Sequence, residues 1–264
     1  MNIIVCIKQV PDTDKVKINP ETNTLIRVGV ENILNPFDRQ ALEVALGLKD
    51  KLGAKVTVLT MGLPQATAIL KEALAMGADE AYLLSDRALG GSDTLATSMA
   101  MAAAIKHIGN FDLILCGKQA QDGDTGQVGP EIAEHLGLPQ FTGALRLTYA
   151  DGKFTADREN EHSIMTLSCE PPLLVTIAKA DKEPRFASIK GKMKARKAKI
   201  PTITVADINV DTSFIGLKGS PTKVKKSFTA PQPEVHSEII QEEDLDKAVD
   251  MLMEKLVAAN IIGS

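Results

Sequence analysis

Two rhythms alternate along the first 140 residues. Short continuous apolar runs fall at Ile3–Ile7, Val56–Leu59, Ala81–Leu84 and Leu113–Cys116. Between them lie longer stretches whose apolar positions recur every three or four residues. The runs predict buried strands and the stretches predict helices. Asn35-Pro36-Phe37-Asp38 reads as a helix start, with Asn at the cap, Pro in the first turn and an acid close behind. Ala41, Leu42, Ala45, Leu46 and Leu48 carry that helix to Gly53. Further helices are predicted over Pro64–Met76, stopped by Gly77, over Asp93–Ile108, and near Gly129–Leu136. Strands alternating with helices predict an α/β fold built on an open parallel sheet with right-handed connections.

The second half changes character. Leu145–Thr148, Lys153–Asp157, Ser163–Cys169 and Leu174–Ile177 read as strands, and Tyr149-Ala-Asp-Gly152 as a hairpin turn. Antiparallel additions to the parallel sheet are the simplest arrangement. Beyond Thr204 the chain is polar, and Ala230-Pro-Gln-Pro-Glu234 reads as a linker. A last helix is expected from about Glu242 to Ala259, with Leu245, Ala248, Val249, Leu252, Leu256 and Ile261 along one side. The expected division is therefore 1–229, an α/β domain, and 230–264, a linker with a C-terminal helical arm. Such an arm either packs back on its own domain or docks on a partner.

Composition narrows the possible functions. Aromatic residues make up 3% of the 264 and Trp is absent, so the core is aliphatic. A net charge of −4 argues against a dedicated nucleic-acid binder, which usually carries a basic surplus. Cys6, Cys116 and Cys169 lie far apart with no Cys-x-x-Cys, which fits a reducing, cytoplasmic setting. The apolar start is too short for a signal segment, and no run approaches the ~20 residues of a membrane span. His107, His135, His162 and His236 lack metal-ligand spacing, and no Gly-x-Ser-x-Gly elbow exists. No metal site and no catalytic residue is assigned.

The sharpest local feature is a glycine-rich turn between a predicted strand and a predicted helix. It runs Gly117-Lys-Gln119-Ala120-Gln-Asp122-Gly123-Asp124-Thr125-Gly126-Gln127-Val128-Gly-Pro. In open parallel sheets ligands sit beyond the carboxyl ends of the strands. Glycines allow close backbone approach, and free N–H groups at a helix start attract anions. The turn is either a pyrophosphate cradle or a tight structural turn; it is neither a Walker loop nor G-x-G-x-x-G. Asp122 and Asp124 would repel a naked phosphate and fit ribose hydroxyls, solvent or a cation. Cys6 and Lys8 close the first strand, Met61 and Gly62 the second, and Gly90-Gly91-Ser-Asp93-Thr94 follows the third. All of these fall at the same sheet edge. Separately, six Lys/Arg crowd 190–199 of this otherwise acidic chain. A basic helix face of this kind fits an acidic partner or a plain solvated surface.

Taken together these segments resemble the beta subunits of electron transfer flavoproteins along nearly the whole chain. The matching residues are Val5-Cys-Ile-Lys-Gln-Val-Pro-Asp12, Asn35-Pro-Phe-Asp38, Ala73-Leu-Ala-Met-Gly-Ala-Asp79, Gly117-Lys-Gln-Ala120 and Glu183-Pro-Arg-Phe186. The resemblance implies a Rossmann-like adenine-nucleotide-binding topology and a larger alpha-subunit partner that carries an electron-transferring FAD. It implies a second adenine nucleotide in this chain, against residues matching Cys6, Asn35, Pro36, Phe37, Asp38, Met61 and the 117–128 turn. In the simpler members that nucleotide is a structural AMP. In flavin-bifurcating members it is FAD, reduced by NADH, with one electron passing to ferredoxin or flavodoxin and one, through the alpha-subunit FAD, to an acyl-CoA dehydrogenase. The small residues of 122–130, the open 90–94 edge, Val10-Pro-Asp-Thr13 and Thr24-Leu-Ile-Arg-Val-Gly29 look like the bifurcating members and favour FAD over AMP. The 184–199 segment matches the family's recognition segment for the dehydrogenase, with Pro184, Arg185, Ile189 and Met193 as contacts and Ile189 as the inserted apolar anchor. The C-terminal helix is then expected on the alpha subunit. Arg146, Arg158 and Glu159 are either contacts across the subunit interface or ordinary surface ion pairs.

Overall fold

The structure, a computed structural model, describes residues 1–12, 17–18, 25–26, 31–226 and 237–263. Thr13, the proposed linker at 230–234 and His236 lie outside the described residues, as does the 24–29 motif apart from Leu25 and Ile26. The chain divides into two compact units, Met1–Ser227 and Phe228–Ser264.

In the first unit β1 (Asn2–Cys6) leads to three short pieces, β2 (Gln9–Pro11), β3 (Lys17–Ile18) and β4 (Leu25–Ile26), and then to β5 (Asn32–Leu34) and α1 (Pro36–Leu52). Next come β6 (Lys55–Met61), α2 (Thr67–Met76), β7 (Glu80–Leu84), α3 (Thr94–Ile108), β8 (Leu113–Gly117) and α4 (Val128–Leu136). The chain continues through β9 (Gln140–Ala150), β10 (Lys153–Glu159), β11 (Ile164–Cys169), β12 (Leu173–Ile177), α5 (Ile189–Lys197), β13 (Thr202–Ile203) and α6 (Gly216–Gly219). Nine strands form one sheet in the order β11-β10-β9-β12-β8-β1-β6-β7-β13.

The apolar runs explain the centre of this sheet. Ile3, Val5 and Ile7 bury on the face covered by α1 and α2, while Ile4 and Cys6 bury on the face covered by α3 and α4. A strand covered on both faces favours apolar residues at nearly every position, with buried threonines at Thr57, Thr60 and Thr176 as exceptions, which is why the runs do not alternate. Each fully buried Ile, Leu or Val contributes roughly 1.5–3 kcal/mol. From β1 the chain steps outward to β6 and β7, then returns to β8 on the other flank of β1. The order of the strands thus reverses between the parallel neighbours β1 and β8, opening a crevice at their carboxyl ends.

One strand departs from expectation. Leu174–Ile177 had the look of an antiparallel addition, but β12 lies parallel between β8 and β9, pairing Leu173 with Leu113 and Leu174 with Gln140. The physical reason is burial: all five residues of β12 are inaccessible, as in the other parallel strands. β9 pairs parallel with β12 and antiparallel with β10, and within the nine-stranded sheet β10 and β11 are purely antiparallel. The hairpin turn stands at Asp151 and Gly152, with φ of 51° and 78°. The small β2–β5 ladder and the edge strand β13 had no clear sequence signal.

The second unit contains α7 (Leu245–Ala258). Asp244 caps it, accepting from the Asp246 amide at 3.1 Å, and Lys255 pairs with Glu238 at 2.8 Å. No residue of α7 is buried; Leu245, Val249 and Leu252 are exposed. No helix among the described residues is long and apolar enough to cross a membrane.

Candidate functional site

At the reversal between β1 and β8 lies a cleft of about 410 Å³. Its floor is apolar, from Leu89, Met101 and Ile132, with the thiols of Cys6 and Cys116 side by side at the strand ends. Burial and the neighbouring Cys6 thiol hold Cys116 well above the ordinary thiol range, with its hydrogen bond to Cys6 the leading cause. Cys116 is therefore a protonated packing residue at neutral pH.

The polar rim depends on two side chains at the start of α1. Asn35 sits at the cap position but makes no cap hydrogen bond. Its amide donates to the Gln119 carbonyl at 2.8 Å and its oxygen accepts from the Gln121 N–H at 3.1 Å. Asp38, expected to serve the helix start, instead accepts from the Lys8 N–H at 2.7 Å and the Gly117 N–H at 3.0 Å. It thus ties the ends of β1 and β8 together beneath the cleft. Burial pushes its pKa up to about 7, against the hydrogen bonds from Asn35, Lys8 and Gly117. Gly117 is required by this close approach, since a Cβ there would meet Asp38 Oδ1, with the Asp38 N and Phe37 C atoms at 2.6 Å.

The glycine-rich turn is held from within. The Ala120 carbonyl accepts from the Gly123 and Asp124 amides, at 3.2 and 2.8 Å. Asp124 takes a positive φ of 52° and accepts from the Gln119 side chain. Among the described residues, the amides of Thr125, Gly126, Gln127 and Val128 donate to no protein acceptor. These four residues line the cleft at the start of α4, where N–H groups favour an anion. Across from them Asp93 caps α3, accepting from the Ala96 amide at 3.1 Å and the Thr222 hydroxyl at 2.8 Å. Although burial pushes its carboxyl up, those hydrogen bonds win and hold it below the usual range. Thr94 links the two helix starts, donating to Gln127 or Glu131 at 3.1 and 3.2 Å. Lys8 reaches over the rim to Asp122, at 2.7 Å. A part-exposed pair of this kind contributes only about 0–1 kcal/mol.

Of the residues singled out in the sequence, the cleft is lined by Cys6, Lys8, Asp38, Met61, Gly91, Asp93, Thr94, Gly117, Gln119, Ala120, Gly123 and 125–128. Asn35, Pro36, Phe37, Gly62, Gly90, Asp122 and Asp124 do not line it. Asn35 acts from behind, on the turn's backbone. Sequence reading missed Leu89, Thr97, Met101 and Ile132 as lining residues. Thr97 and Met101 follow Thr94 at helical spacing and were legible in principle; the apolar floor resembles any other core.

A family model described as the electron transfer flavoprotein domain matches residues 22–208. The electron transfer flavoprotein subunit beta of Megasphaera elsdenii is 53% identical over 99% of this chain and 100% of its own. The chain belongs to the electron transfer flavoprotein beta subunits. Relatives that carry other names are the caffeyl-CoA reductase-Etf complex subunit CarD of Acetobacterium woodii, 46% identical, and the acryloyl-CoA reductase electron transfer subunit gamma of Anaerotignum propionicum, 43% identical. Each aligns over 99% of this chain and 100% of its own. A beta subunit takes part in electron transfer and has an alpha-subunit partner.

In this beta subunit the basic segment is a helix, α5, capped by Ser188, which accepts from the Gly191 amide at 2.9 Å. Gly191 packs against the Ala75 carbonyl of α2, leaving no room for a side chain. Ile189 is 82% exposed and Phe186 88% exposed; Met193 is exposed beside them. Arg185, expected at a partner surface, turns inward. Its backbone N–H and guanidinium both bind the buried Glu43 of α1, at 2.9 Å each, and the guanidinium also reaches Asp50 at 2.8 Å. Half-buried Pro184 precedes this clamp. Arg158 donates to Thr142 within its own sheet at 2.8 Å.

Proposed function

We propose that this beta subunit holds FAD in the cleft, accepts electrons from NADH and divides them between two acceptors. One is a ferredoxin or flavodoxin; the other, through the FAD of the alpha subunit, is an acyl-CoA dehydrogenase. The observation that carries the reading is the cleft at the strand reversal, where four unpaired amides at the start of α4 stand beside Lys8 and Lys118 above an apolar floor. That donor set suits the diphosphate of an adenine dinucleotide, because amides and lysines offset its two charges without a metal ion. The volume lies toward the lower end of ligand pockets, roughly 300–1,000 Å³, so it suits the adenosine-diphosphate portion. The flavin ring would then extend beyond the enclosed part of the cleft.

Bound FAD supplies the exchange between two-electron and one-electron chemistry. The chain's own residues bind and orient it. The amides of 125–128 face the diphosphate, Asp38 and Asn35 fix the loops, and Leu89, Met101 and Ile132 exclude water from below. The names of two relatives support the outlet to acyl-CoA chemistry: one belongs to a caffeyl-CoA reductase complex and one to an acryloyl-CoA reductase. The exposed Ile189, Phe186 and Met193 then form the dehydrogenase contact. The uncovered apolar side of α7 docks on the alpha subunit, and the whole assembly works in the cytoplasm.

A second reading, a structural AMP, is favoured by the same modest volume. Cofactors extracted from the purified heterodimer separate the two. Two FAD per dimer is expected; one FAD and one AMP would overturn the bifurcating assignment and leave the family intact.

A further inference from the structure

Lys8 occupies an unusual position for a surface lysine. Its backbone is fixed on both sides, the N–H by Asp38 and the carbonyl by the Asn35 amide at 3.0 Å, so only the side chain can move. That side chain lines the cleft, yet its ammonium is spent on both oxygens of Asp122, at 2.7 and 3.0 Å. Asp122 belongs to the glycine-rich turn but lies outside the cleft lining. The other carboxylates nearby have partners of their own: Asp93 has the start of α3 and Thr222, Asp124 has Gln119, and Glu131 has Thr94. Among the described residues, Lys8 is the one donor that Asp122 has.

A diphosphate arriving at the 125–128 amides therefore meets a lysine already neutralised. The pair is part-exposed and weak, so two phosphate charges outcompete one carboxylate that water can rehydrate. We propose that Lys8 is an exchangeable cation: it leaves Asp122 for the ligand's phosphate, and Asp122 acts as a stand-in anion that sets how tightly phosphorylated nucleosides are held. This rests on the nucleotide reading of the cleft and assigns its charge selectivity to two residues. Asp122 lowers affinity for the phosphate group while leaving recognition of the nucleoside untouched.

The test uses the full-length chain in complex with its partner subunit, freed of bound nucleotide and titrated with ADP and with adenosine. Lys8→Met should weaken ADP about tenfold, the loss of one charged hydrogen bond at a wet site, and leave adenosine unchanged. Asp122→Asn should tighten ADP several-fold, about the worth of a surface ion pair. In the Lys8→Met background Asp122→Asn should have no further effect. If Asp122→Asn weakens ADP as Lys8→Met does, or changes nothing, the exchange is wrong and the pair merely braces the turn, while the nucleotide site stands. If Lys8→Met weakens adenosine equally, its role is structural and the proposal fails. Should wild type bind neither ADP nor adenosine, the nucleotide reading falls and the exchange with it.

Discussion

Helix α1 carries two buried carboxylates that do similar mechanical work under different electrostatic conditions. Asp38 holds the ends of β1 and β8 through two backbone amides. Glu43 holds the segment before α5 through the Arg185 amide and guanidinium. Glu43 has a full opposite charge against it, and Arg185 is in turn raised by its hydrogen bond to Glu43. Asp38 has only amide dipoles and a remote lysine charge, and its pKa rises to about 7. A buried carboxylate held by amides, with no full charge paired against it, becomes sensitive to pH near neutrality.

The largest expected effect comes from that sensitivity. Asp38 is raised from 3.8 to about 7 on folding, so the folded state binds the extra proton between those values. Its favourable contribution is complete below about pH 4 and is lost as pH rises through about 7, a change on the order of 4 kcal/mol. Urea midpoints of wild type against Asp38→Asn, measured from pH 4 to 8, should show wild type losing ground steadily as pH rises. A difference independent of pH would mean that the carboxyl stays ionised throughout.

Next comes the paired carboxylate. Arg185→Ala strands the Glu43 charge inside the protein and should cost about 3 kcal/mol in urea unfolding. Combining it with Glu43→Gln should recover part of that loss. Additive losses would show that the two residues do not act as a pair. The smallest effect on stability belongs to Ile189→Ala, within about 0.5 kcal/mol because the side chain is exposed. If the proposed contact with an acyl-CoA dehydrogenase holds, electron delivery to it should nonetheless fall, most when the dehydrogenase is limiting, with cofactor content intact. Unchanged delivery at limiting dehydrogenase would remove Ile189 from the contact.

The same contrast marks what the sequence makes legible. Runs such as Ile3–Ile7 and Leu113–Cys116 declare buried parallel strands because burial on both faces favours apolar residues at nearly every position. By that rule Leu173–Ile177 was legible too, and its neighbours in an antiparallel stretch disguised it. Asn35 and Asp38 have the composition of a helix start, and local rules assign them to it. Their actual partners, Gln121 and Gly117, lie 86 and 79 residues away, a distance local rules cannot cross. Arg185 in a basic stretch looks like surface, and only the return of the chain to Glu43 half-buries it. The cleft's rim was visible in its Gly, Asp and Thr content, but its floor was hidden among core residues such as Met101 and Ile132.

One property of α1 follows from carrying both carboxylates on a single helix. Asp38 and Glu43 are five residues apart, which sets them about 7.5 Å along the axis and about 140° around it. Inserting or deleting a single residue between them would turn one relative to the other by about 100°. Either the strand ends or the arginine clamp would then come free. The five-residue spacing in α1 is therefore a length that related chains cannot change without giving up one of the two grips.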